Sequence, residues 1–104
     1  LKHGTIALID AKSVVVVVAS NACDKERLRA SVSELKSRSA YVISLTGIGE
    51  IGAHKSYRLP HADDDLLLPV LSVIPLQSLA LTASLCLGLD PDKPRNLAKS
   101  VTVI

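Results

Sequence analysis

The chain has 104 residues, enough for one small domain and no more. Its hydrophobic content is 48% but includes no Phe, Trp or Met, so any core must be built from Val, Leu, Ile and Ala, as suits buried parallel strands and the helices covering them. A net charge of +2 on scattered Lys and Arg, with Tyr41 and Tyr57 outside any basic cluster, argues against nucleic acid as a partner.

Residues 1–10 turn apolar after Gly4 and read as a loop entering a brief extended or helical piece, with Lys2 and His3 displayed at its mouth. On spacing alone, a histidine beside a glycine is a solvated loop residue. Val14 to Val18 form an unbroken β-branched run without alternation. That pattern predicts a central parallel strand covered on both faces. A helix follows, capped by Asn21 or Asp24, with Leu28, Val32 and Leu35 on one buried stripe. Glu34 and Arg38 stand four apart on its wet face, worth about 0.3–0.5 kcal/mol.

Residues 41–45 and 56–59 are the next two predicted strands. Between them, Gly47-Ile-Gly-Glu-Ile-Gly52 spells G-x-G-x-x-G directly after a strand. The dinucleotide fingerprint needs a helix opening at the third glycine, whose N–H groups would hold the pyrophosphate. Here strand-like sequence and Pro60 follow at once, and no acid ends the next strand at the offset that ribose recognition needs. The glycines are therefore expected to form an irregular strand-to-strand loop.

His61 and Asp63 to Asp65 invite a metal reading, but consecutive residues point in different directions and converge poorly on one ion. The acids fit better as caps and dipole partners of the helix that follows. From residue 66 to residue 89 no charged residue occurs. The run is long enough to cross a bilayer at about 1.5 Å per residue. Pro69, Pro75, Gln77 and several Ser and Thr, without aromatic belts or basic flanks, favour a buried helix instead, bent or restarted at Pro75 and stopped at Gly88. Cys23 and Cys86 have no metal-type spacing and read as reduced thiols. Beyond them, Pro91 and Pro94 block helix continuation in a tail that holds Lys99 among small and polar neighbours.

Three segments carry a family resemblance. Asp92-Lys-Pro-Arg-Asn-Leu-Ala-Lys-Ser-Val-Thr-Val103 resembles the C-terminal tail of the glutamine–fructose-6-phosphate aminotransferases, also called glucosamine-6-phosphate synthases. Leu1-Lys-His-Gly-Thr-Ile-Ala-Leu-Ile-Asp10 resembles that family's Leu-Lys-His-Gly-Pro-x-Ala-Leu-Ile-Asp segment, and Val73-Ile-Pro-Leu-Gln-Ser-Leu-Ala80 its Val-Pro-Leu-Gln-Leu-Leu-Ala. The intervening segments fit in order and length. The chain is therefore identified by this resemblance as the C-terminal portion of the family's second sugar-isomerase (SIS) domain, residues 1–104, including a catalytic tail at 90–104.

The resemblance implies a doubly wound, flavodoxin-like parallel sheet in a three-layer α/β/α sandwich, of which residues 14–19, 41–45 and 56–59 are the last three strands. It implies that the first strand and a helix bearing the catalytic glutamate lie upstream of Leu1, so that the chain is a fragment, inactive alone, with an apolar edge at residues 14–18. It also implies an enzyme making glucosamine 6-phosphate from fructose 6-phosphate and glutamine-derived ammonia. His3 would open the sugar ring, reaching the neighbouring subunit's site. Lys99, with Ala98 beside it, would sit over the open-chain sugar in an imine or positioning role. No cofactor or metal is implied, and the parent would be a cytoplasmic homo-oligomer without membrane or nucleic-acid partners. Thr5 in place of the family's proline and Ile104 in place of its terminal acid are departures. They keep open a deaminase or isomerase built of SIS domains alone, or a non-catalytic sugar-phosphate-binding module.

Overall fold

A computed structural model describes residues 4–19, 24–60, 62–64 and 66–97. After a 3-10 turn at Thr5–Leu8, the order is β1 (Val14–Ala19), α1 (Lys25–Ser37), β2 (Tyr41–Thr46), β3 (Lys55–Arg58) and α2 (Leu67–Cys86). The strands form one sheet in the order β1-β2-β3, parallel throughout, with Val14 opposite Tyr41 and Ile43 opposite Lys55. This is α/β architecture with a partial parallel sheet, as the resemblance to SIS domains implies.

Two compact units divide the chain, Leu1–Ser72 and Val73–Ile104. The first holds the core. Side chains in register on parallel strands share a face, so Val15, Val17 and Ala19 lie beside Val42, Ser44 and Thr46. Against this face pack Leu28, Val32 and Leu35 of α1, the stripe that the sequence spacing predicts. Ile48, Ile51 and Ala53 join the same cluster from the 47–54 connection. That connection contains no helix, and Ile51, 1% exposed, plugs the place a crossover helix would fill.

Two expectations fail within these 104 residues. β1 is not a central strand covered on both faces: it is the apolar edge that the resemblance implies for residues 14–18 of a fragment, and Val14 is 63% exposed. β2, paired on both sides, is the central strand. The apolar run after residue 66 does form one helix through Pro75, but it is not a buried one. Val70, Ile74, Leu81 and Leu85 are all exposed, and only Leu68 and Ser72 are buried. A helix apolar on every side is built for surroundings apolar on every side, and the described residues do not supply them. By length and composition alone, α2 could also cross a membrane.

Local chemistry sets the boundaries. Both helices end in a Schellman motif. Ser39 and Ala40 donate to the carbonyls of Lys36 and Leu35, and Gly88 and Leu89 donate to those of Leu85 and Ser84. Asp24 occupies the N-cap of α1 without making the side-chain bond predicted for it, and Asn21 lies outside the described residues. Before α2, the Asp64 carboxylate accepts the Leu66 N–H at 2.9 Å. Of the acids expected to cap the helix, Asp64 thus braces the turn just ahead of α2, whose first turn holds no acid, and Asp65 lies outside the described residues. Glu34 and Arg38 form the predicted pair at 3.5 Å.

Candidate functional site

In an open α/β sheet, ligands bind outside the carboxyl ends of the strands, where loop backbone is free to meet them. Here the carboxyl end of β2 is held by one side chain. The Thr46 hydroxyl donates to the Gly49 carbonyl at 3.1 Å and accepts the Ile48 N–H at 3.0 Å. Gly49 has φ +88°, and a Cβ at that position would stand 3.6 Å from the Lys25 ammonium, which opens α1. The first part of the G-x-G-x-x-G run is thus a side-chain-locked turn with no helix behind it. The dinucleotide reading is not supported by this geometry.

The loop is then fastened along α1. Lys36 Nζ donates to the Gly52 carbonyl at 3.0 Å, and Arg29 donates to the Glu50 carbonyl at 3.4 Å while pairing with Glu26 at 3.2 Å. Between helix and loop lies an open groove of about 470 Å³. Its two cations are spent on backbone carbonyls, so the groove reads as a clamp on the loop. No group of three or more metal-binding side chains occurs among the described residues, and His61 and Asp65 lie outside them.

His3, Ala98 and Lys99 all lie outside the described residues. The segments leading to them are described. Ala7 and Ile9 donate to the Gly4 and Ile6 carbonyls, closing the 3-10 turn next to His3. The turn at residues 10–13 passes the chain into β1, with Asp10 Oδ1 accepting from the Lys12 N–H and the Ser13 hydroxyl. In the second unit, the tail leaves α2 in two consecutive turns. The Asp92 N–H donates to Asp90 Oδ1 at 2.9 Å, and the Leu97 N–H donates to the Pro94 carbonyl at 3.3 Å across Asn96 at φ +64°. Pro91 and Pro94 fix φ inside these turns. The chain approaching Lys99 is therefore turn-rich and short of rotational freedom.

Sequence reasoning overlooked a second cluster, at the amino ends of β2 and β3. His54 stacks on Tyr41, with ring centroids 4.9 Å apart and planes 16° from parallel. Lys55 Nζ lies 5.5 Å from the centre of the Tyr57 ring. The hydrogen bond to Tyr57, then charge interactions with Tyr57 and Tyr41, raise the Lys55 pKa above its ordinary 10.5. Lys55 and Tyr57 meet as i, i+2 neighbours on β3, whereas Tyr41 and His54 come together only through the pairing of β2 with β3.

No family model matches the chain. Individual relatives do. It is 46% identical over 107 residues to the glutamine–fructose-6-phosphate aminotransferase [isomerizing] of Methanosarcina mazei, 45% over 106 residues to that of Thermosynechococcus vestitus and 41% over 107 residues to that of Escherichia coli O6:H1. Each similarity takes in 99% of this chain and 17% of the relative. The chain thus spans about one sixth of the length of the curated relatives it matches. Across nearly its whole length, it is related in sequence to one segment of the glutamine–fructose-6-phosphate aminotransferases.

Proposed function

We propose that the chain is the C-terminal segment of the sugar-isomerase half of a glutamine–fructose-6-phosphate aminotransferase, acting as part of a longer parent. What supports this is identity of 41–46% over a match that takes in 99% of the chain. In this reading the parent opens fructose 6-phosphate, accepts glutamine-derived ammonia at C2 and moves a proton between C1 and C2 to give glucosamine 6-phosphate. His3 supplies the proton transfer that opens the ring. Lys99 serves the open-chain sugar, as an imine-forming amine or as a positioning cation, with Ala98 contributing to sugar binding. The base for the C1–C2 proton comes from outside residues 1–104. No cofactor enters the chemistry. The parent is taken to be a cytoplasmic homo-oligomer whose sites are shared between subunits, which gives His3 a neighbour's sugar to reach.

A transplant tests the reading. Residues 1–104 replace the matching 17% of the Methanosarcina mazei enzyme, and glucosamine 6-phosphate formation from fructose 6-phosphate and glutamine is measured. The chimera is expected to turn over, while the 104-residue chain alone stays at the buffer rate. A folded chimera without turnover, or fructose 6-phosphate conversion by the chain alone, would overturn the assignment.

A further inference from the structure

Val42 is the buried residue of β2 that lies just before its first registered pair with β3, Ile43 opposite Lys55. A single residue satisfies both of its backbone groups. The His54 N–H donates to the Val42 carbonyl at 2.9 Å, and the Val42 N–H donates to His54 Nδ1 at 3.0 Å. An imidazole side chain thus takes the place of a backbone acceptor at the start of the β2–β3 ladder.

This bond dictates a protonation state. Nδ1 can accept a hydrogen bond only through its lone pair, which requires the neutral ring with its proton on Nε2. The imidazolium carries N–H on both nitrogens and can accept nothing. Val42 is 0% exposed, so its amide has no water to turn to when the ring lets go. The ionisable groups around the ring come from three elements. Tyr41 of β2 stacks on it. Lys55 of β3 follows it directly, with its ammonium over Tyr57, and Lys36 of α1 holds the carbonyl of Gly52 two residues before it.

We propose that His54 is an acid-released latch: the neutral ring fastens the start of β3 to β2, and protonation frees it. The sign follows from the bond. The latch is closed above the titration of the imidazole and opens as pH falls through it. What opens is the edge strand that carries Lys55 and Tyr57, while the β1–β2 pairing has no titrating rung of this kind.

The test uses the 104-residue chain and nuclear magnetic resonance. Imidazole ¹⁵N shifts are expected to show the Nε2–H tautomer at neutral pH. Hydrogen-exchange protection of the Val42 amide, taken relative to Ser44 in the paired part of the same strand, should fall about tenfold as the ring protonates. His54→Gln offers an acceptor that does not titrate, and should make that ratio independent of pH. An Nδ1–H tautomer, an unprotected Val42 amide at neutral pH, or a ratio that changes with pH equally in both proteins would overturn the proposal.

Discussion

Lys55 shows how much a residue's behaviour depends on a neighbour two positions away. On a strand, residues i and i+2 share a face, so the Lys55 ammonium comes to lie over Tyr57. Its pKa is raised above 10.5, chiefly by the hydrogen bond with Tyr57. A folded-state pKa above the unfolded one gives stabilisation that is present below the unfolded value and disappears as pH rises through the folded value. Because the side chain is fully exposed, the effect belongs to titration rather than to stability. Tyr57→Phe removes the leading cause, and the Lys55 titration followed through its ε-carbon resonance should move down toward 10.5. An unchanged midpoint would mean that the tyrosine hydroxyl is not what holds the proton. At this scale the sequence was least legible. Leu28, Val32 and Leu35 announce themselves by period, whereas His54 has no pattern around it and acquires its partner, Val42, only once β3 lies beside β2.

The elements were largely readable because their signals are local. A β-branched run and a 3.6-residue stripe give β1 and α1, and the lack of room for a helix after Gly52 marks the 47–54 connection as a loop. The helix ends divide instructively. Gly88, at φ +69°, is the stop that the sequence announces. Ser39, at φ +66°, does the same work at the end of α1 with a side chain that resists the left-handed region. Nothing in the sequence marks it. Ser39→Gly relieves that strain, while the Leu35–Ala40 part of the motif stays in the core. Urea unfolding should show a gain of about 1 kcal/mol. Gly88→Ala should lose a similar amount purely through its backbone, since a Cβ there meets no atom within 4 Å. A loss at Ser39→Gly would show that the motif is not strained as its dihedral implies. What periodicity could not reveal was coverage. An apolar run states what a strand or helix needs around it and is silent on whether these 104 residues provide it, as β1 and α2 both demonstrate.

At the scale of the whole molecule, the exposed flank of β1 and the uncovered length of α2 agree with a segment that corresponds to 17% of its relatives. The family was legible because both ends carry specific motifs. The candidate site was legible only as chemistry, since His3, Ala98 and Lys99 lie outside the described residues. The central claim rests on Lys99, in a tail that Pro91 and Pro94 hold in turns. A lysine that forms an imine must spend part of its time unprotonated. Arginine keeps the charge, cannot form the imine and does not release its proton at working pH. The most direct measurement is therefore kcat and the melting temperature of Lys99→Arg, side by side, in the chimera with the Methanosarcina mazei enzyme. The account predicts turnover lower by about two orders of magnitude or more, with melting within about 1 °C of the parent chimera. Normal melting with near-parental turnover would contradict it.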